Sequence, residues 1–218
     1  MKISSQALAD FYNIGYCVID DFLSFDEARE MFEMFKAQTN WTQIDQERPH
    51  YDVGGPFVTR SPYMPKEGEF YYQRTKRAEA LQDDPLWRKI YSEKFLSKLE
   101  GLFDCKVVED VTYILKYEEN DFSRVHTDDA RGNVARVDVG ILYYLCDSWM
   151  WDWGGLLLIA ENDRSEEMKA IFPKSNRLII LNHQRKCPHS VTPVTKYAKN
   201  ARYCVASFIG CDKKLDNI

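Results

Sequence analysis

The sequence lacks the features that mark several common classes of protein. It has no apolar run long enough for a signal peptide or a bilayer-spanning helix. That absence predicts a soluble, cytoplasmic chain with no membrane partner. Cationic excess is missing as well: the formal net charge is −5, which gives no electrostatic reason to expect nucleic acid as a partner. The six cysteines form no CxxC pair and follow no regular spacing, so reduced, packed thiols are expected rather than a disulfide framework. No internal repeat, low-complexity tract or linker divides the chain. Histidine is scarce, with only four, so the position of each carries information.

What is present supports a substantial core. With 44% hydrophobic and 14% aromatic residues in 218, one large domain over 1–218 is expected. Residues 4–13 read as an amphipathic helix and 15–20 as a strand. Ser24 opens "SFDE", in which Ser24 and Glu27 can satisfy each other's backbone amides as a capping box. The helix that follows places Met31, Phe32, Met34 and Phe35 largely on one face. A further helix is expected from Asp84, with Pro85 in its first turn. Between them, residues 41–75 break the pattern with Gly-Gly, prolines, aromatics and scattered arginines. A long irregular segment in a compact domain is commonly either functional or mobile, and the alternative is a surface-packed loop whose aromatics cover the β core. Arg60, Tyr63, Tyr71 and Arg74 are its candidate substrate contacts, with Tyr72 beside them. From Lys106 the period changes. "KVVEDVTYILKY", "NVARVDVGILYYL", "GGLLLIAE", "NRLIILN" and "ARYCVASFIG" are short β-rich runs with no helices between them, which predicts an antiparallel sandwich or barrel. The expected division is helical support and a substrate-facing segment over 1–103, and a β core over 104–211.

"SRVHTDDARG" (123–132) sets His126 and Asp128 two apart at the end of a strand-like run, where alternate side chains share a face. His189, in "CPHSVTP", supplies a further ligand beside another β run. Two histidines and one carboxylate make the facial set that leaves coordination positions open, as in non-haem Fe(II) oxygenases. A closed structural zinc site more often uses cysteine in its fourth position. Arg202 alternates with apolar neighbours in "NARYCVASFIG", and an arginine inside a β core needs a buried anion. A planar guanidinium suits a carboxylate. One of Tyr143 and Tyr144 must face the same interior and could add a hydroxyl. Gly154-Gly155 suggests a tight turn or a close backbone approach.

The stretch from Val111 to Gly210 resembles the catalytic core of 2-oxoglutarate- and Fe(II)-dependent dioxygenases, specifically the prolyl-4-hydroxylase-like group. The family's motif order is HxD, a Tyr-rich strand ending near Trp, GG-L, a distal His, then a basic residue on the last core strand. Here it is met by His126-Thr127-Asp128, Tyr143-Tyr144-Leu145 with Trp149, Gly154-Gly155-Leu156, His189 and Arg202. The resemblance implies an α+β fold with a mainly β core, a double-stranded β-helix (jelly roll, cupin-like) flanked by N-terminal helices. It implies iron at His126, Asp128 and His189. It places the distal carboxylate of 2-oxoglutarate on Arg202 with Tyr144. Tyr117, Leu157 and Val191 then line the cosubstrate pocket. The interval from His189 to Arg202 is a few residues longer than usual in this group, which brings in Lys196 or Lys199 as an alternative carboxylate partner.

The implied activity is hydroxylation of a C–H bond in a prolyl, peptidyl or free amino-acid-like substrate. O2 is consumed, succinate and CO2 are released, and ascorbate serves as an accessory reductant. The partner is then a small-molecule, peptide or protein substrate. Nucleic-acid demethylases of the superfamily carry a second arginine where this chain has Phe208, and halogenases replace the carboxylate that Asp128 retains. Two other readings of the same residues are a non-catalytic jelly-roll binding module and a cupin-like metal hydrolase.

Overall fold

The computed structural model describes residues 5–49, 70–78, 83–128, 138–162, 164–185, 187–213 and 215. Helix α1 (Ser5–Asn13) leads into β1 (Tyr16–Ile19) and then α2 (Phe25–Ala37). The capping box forms: Glu27 N donates to Ser24 Oγ at 3.3 Å, and Ser24 N donates to Glu27 Oε2 at 3.0 Å. Lys94 adds an ion pair to Glu27 at 2.6 Å, and with this contact, opposed by partial burial, the Glu27 carboxyl falls to about 2. Met31 and Phe35 are buried, while Phe32 and Met34 pack at the edge of the same core. Asp84 caps α3 (Pro85–Ile90), accepting from the amides of Leu86 and Trp87. That helix runs through a π-helical turn (Tyr91–Leu96) into α4 (Ser97–Phe103). The turn seats Tyr91 flat on Trp87, with centroids 4.5 Å apart. Tyr91 Oη donates to Asp110 Oδ1 at 3.0 Å and lies 2.7 Å from both Thr112 Oγ1 and Ser207 Oγ. One phenol therefore fastens the helical layer to the sheet.

The β core is antiparallel throughout. Its strands are β2 (Thr42–Pro49), β3 (Phe70–Arg77), β4 (Val107–Tyr117), β5 (Phe122–His126), β6 (Val139–Leu145), β7 (Leu157–Ile159), β8 (Lys169–Ile171), β9 (Arg177–Asn182), β10 (His189–Val191) and β11 (Arg202–Cys211). Hydrogen bonding runs in the order β1-β9-β6-β11-β4-β3-β5-β10-β7-β8, with β2 paired to β3. The strands β9-β6-β11-β4 are covered on both faces. Tyr143, Leu145, Leu178, Ile180 and Val205 pack toward the helices, whereas Tyr144, Ile179, Leu181, Cys204 and Ala206 pack into the roll. Burial on both sides explains why these strands read as continuous apolar runs rather than as alternating ones. This is the expected jelly roll behind N-terminal helices.

The N-terminal hundred residues are less purely a support than expected. β1 extends one sheet edge on β9, and β3 joins the two halves of the roll, pairing with β4 through Lys76 and Arg77 and with β5 through Gln73 and Arg74. Both ends of the segment expected to be irregular are thus a two-stranded ribbon. Its polar composition hid the strands, because a ribbon lacks the apolar alternation that betrays a half-buried sheet. Arg60 and Tyr63 lie outside the described residues. No helix among the described residues is long and apolar enough to cross a membrane.

Gly154 and Gly155 adopt φ of 68° and 64°. A Cβ on Gly154 would run into the carbonyl oxygen of Pro193. On Gly155 it would come within 3.1 Å of Trp149 and 3.5 Å of Arg202 Cδ. The glycine pair is therefore the close backbone approach that its sequence position suggested. Gly101, in α4, faces no atom within 4 Å. Gly154→Ala should destabilise by more than about 2 kcal/mol through strain and collision. Gly101→Ala should stabilise by about 0.5–1 kcal/mol through helix propensity. Urea denaturation of both variants reads the contrast, and equal effects would contradict it.

Candidate active site

The site is assembled by one ladder. His126 ends β5 and His189 begins β10, and the two face each other in the antiparallel register. Their rings lie 4.5 Å apart between centroids. Each is held by a main-chain acceptor: His126 Nδ1 donates to Arg124 O at 2.6 Å, and His189 Nδ1 donates to Cys187 O at 3.0 Å. A carbonyl can only accept, so each ring gives its Nδ1–H to the main chain and turns its Nε2 inward toward Asp128. Asp128 lies just past the strand rather than within it. Its Oδ1 is 3.5 Å from His126 Nε2 and its Oδ2 is 3.1 Å from His189 Nε2. One ligand atom from each of the three falls within 4.8 Å of the others. Burial alone would raise the Asp128 carboxyl, but the adjacent imidazoles, His189 foremost, hold it well below the usual carboxylate range. An ionised carboxylate and two inward Nε2 atoms are a donor set suited to a divalent cation with open positions.

Leu157, Val191 and Tyr117 line the same cavity as the triad, and so does Arg202. Arg202 is 1% exposed. Its guanidinium lies between two rings, 4.7 Å from the Tyr117 centroid and 4.3 Å from that of Tyr144. Aromatic faces offset part of the cost of burying a cation, yet Arg202 Nε and Nη1 and Tyr144 Oη have no hydrogen-bond partner among the described residues. Three orphaned polar atoms on a buried cation and its neighbour describe a seat for an anion. Tyr143 takes the other direction. It faces the helices and donates to Asn176 Oδ1 at 2.8 Å.

Lys196 and Lys199 are exposed and do not line this cavity. Nor does Arg74. It pairs instead with Asp45 at 3.4 Å and with the buried Asp121 at 3.5 Å. Its neighbours in β3, Gln73 and Arg77, line the cavity because alternate residues of a strand point to opposite sides. The side chain of Tyr71 lies outside the described residues, as does that of Tyr72. Sequence reading missed Gln73, Arg77 and Ser123 as cavity residues, since only the pairing of β3 with β5 and β4 brings them there. It also missed His183, whose Nε2 is buried behind Asp128 and close against Gly140.

The family model described as the 2OG-Fe(II) oxygenase superfamily matches residues 112–210. No curated protein matches the chain in sequence. Among solved structures, a Pseudomonas putida prolyl-4-hydroxylase is 15% identical with a TM-score of 0.59, over 94% of this chain and 96% of that one. A prolyl hydroxylase from Trichoplax adhaerens, in complex with a hypoxia-inducible factor peptide fragment, is 19% identical with a TM-score of 0.61, over 93% and 86%. HygX from Streptomyces hygroscopicus, with nickel and 2-oxoglutarate bound, is 13% identical with a TM-score of 0.59, over 99% and 91%. The residues present fit an Fe(II) ion at the triad and the carboxylate of 2-oxoglutarate at the orphaned guanidinium. The sequence match over residues 112–210, the shared jelly roll and that fit agree in making this part of the chain similar to the 2OG-Fe(II) oxygenase superfamily.

Proposed function

We propose that the chain hydroxylates a C–H bond of a peptidyl or free amino-acid-like substrate, coupled to conversion of 2-oxoglutarate to succinate and CO2. The observation that carries this reading is the meeting, in one cavity, of a converging His–Asp–His set and a buried arginine whose Nε and Nη1 have no hydrogen-bond partner among the described residues. Bound Fe(II) and 2-oxoglutarate supply the O2 chemistry, and the protein supplies ligands, orientation and a dry pocket.

His126, Asp128 and His189 would hold the metal from one side. Arg202 would take the distal carboxylate, with Tyr144 Oη as a further donor. Leu157 and Val191 would form the apolar wall along the chain between the two ends. Tyr117, stacked on the guanidinium, keeps water from it. The substrate side is open between peptide and small molecule. HygX has also been seen with hygromycin B bound, and the Trichoplax enzyme with a peptide, so this fold serves both. Succinate release from Fe(II) protein without added substrate tests the oxygenase step. Screening peptide and amino-acid panels for a product gaining one oxygen tests the substrate class.

Asp128→Ala should lower Fe(II) affinity by more than about 100-fold, beyond what loss of an outer-shell partner does. Anaerobic metal titration measures this, and near-normal affinity would remove Asp128 from the ligand set. Arg202→Ala should raise the 2-oxoglutarate requirement tens- to thousands-fold, the equivalent of about 2–5 kcal/mol for breaking a buried charge pair. It should leave metal affinity in the absence of 2-oxoglutarate within about threefold, because sites without shared partners behave nearly additively. Lys196→Ala and Lys199→Ala should leave the requirement unchanged. The reverse pattern would move the carboxylate seat to the loop before β11.

A further inference from the structure

Four of the six cysteines are locked away by burial and chemistry. Burial pushes the thiols of Cys17, Cys146 and Cys187 up to about 12 and that of Cys204 up to about 11. The Sγ atoms of Cys146 and Cys187 also donate to the carbonyl oxygens of Pro173 and Gly15. The remaining two are buried as well, and burial also raises the Cys105 thiol, but they differ in lying against each other. Cys105 follows Asp104, the left-handed residue that ends α4, and Cys211 is the last residue of β11. Their Sγ atoms are 3.0 Å apart although the residues are separated by 106 positions in the chain.

The backbone holds them there. Lys106 N donates to Asp212 Oδ1 at 2.9 Å, and Asp212 N donates to Lys106 O at 2.9 Å. The residues immediately following each cysteine are thus tied to each other. A disulfide has an S–S distance near 2.05 Å, so about 1 Å of approach remains. Cys105 lies in a turn, and the β4–β11 register shifts between Gly210 and Cys211, so the approach can be taken up outside the regular ladder. Neither cysteine lines the triad cavity.

We propose that Cys105 and Cys211 are a modification site, a thiol pair that a hydroperoxide converts into a disulfide clamping α4 to the end of the last core strand. Cys105 reacts first, being 8% exposed against 1% for Cys211. Its thiolate attacks one oxygen of the peroxide and breaks the O–O bond. The departing hydroxide takes up the proton that the thiol gave, leaving a sulfenic acid and one water. The Cys211 sulfur then forms the S–S bond and displaces the sulfenic oxygen as a second water. The two thiols lose two electrons and two protons, and the peroxide takes up both. The bond closes a loop that contains β4 to β11, and a cross-link over so long a span restricts the unfolded chain strongly.

The test uses the full chain stripped of metal by a chelator, so that iron-driven radical chemistry is absent, and treated with about one equivalent of hydrogen peroxide per thiol pair. Intact mass should fall by about two units. A non-reducing digest should yield one cross-linked peptide joining Cys105 to Cys211. The thermal midpoint should rise by about 5 °C and return on reduction. Cys105→Ser and Cys211→Ser should show neither change. Cysteine sulfinic acid without a cross-link, or a disulfide between other cysteines, would overturn the pairing. A Cys105–Cys211 bond with no rise in midpoint would overturn the clamp. Both readings come from the unaltered protein, so they stand even if a serine variant folds poorly.

Discussion

The site depends on one short antiparallel pairing. Three residues of β10 lie against β5, and the pair that matters is His189 opposite His126. Residues directly opposite in such a ladder carry their side chains on the same face, so the register alone sets the two imidazoles side by side. Each ring is then fixed by a carbonyl two residues before it. A slip of one residue would send one imidazole to the other face of the sheet. β7 on one flank of β10, and β3 on the far flank of β5, support this pairing, whose register shifts between His189 and Val191.

The second constraint is a charge in the core. Arg202 begins β11, the strand that pairs along its length with both β4 and β6. Those partners deliver Tyr117 and Tyr144, the two rings that flank the guanidinium. Cation–π contact is worth about 2 kcal/mol when desolvated, well short of the several kcal/mol that a buried unpaired ion costs. The cation is therefore a standing demand for an anion. Burying it between rings also keeps its donors from finding water, so the seat is pre-organised for a carboxylate. The glycine at 155 belongs to the same arrangement, since any side chain there would press toward Arg202 and Trp149.

Much of this was legible in the sequence where local chemistry and spacing coincide. The capping box at Ser24, the Pro85 helix start and the apolar β runs are local signals, and each appears where its residues place it. The elements of the triad were legible as HxD followed by a distant histidine, although Asp128 reaches the site from just past β5 rather than through strand period. What was not legible depends on pairing between distant segments. The ribbon of β2 and β3 has almost no apolar content to advertise it. Arg74 and Arg77 look equivalent as letters, yet the pairing of β3 with β5 and β4 turns the first to Asp121 and the second into the cavity. Tyr143 and Tyr144 could be told apart only once the helices were known to cover one face of β6. The Cys105–Cys211 contact has no sequence signature, since it joins the end of a helix to the end of the last strand.

The central claim is that the triad and Arg202 serve one ligand between them, a metal-bound 2-oxoglutarate. Two sites that share a ligand must be coupled, and the coupling is reciprocal. Anaerobic calorimetric titration of 2-oxoglutarate into the protein, with and without Fe(II), measures that coupling directly. A gain in 2-oxoglutarate affinity of at least about tenfold on adding metal is the predicted result. Equal affinity in the two titrations would contradict it, because Arg202 and the triad would then be binding independently.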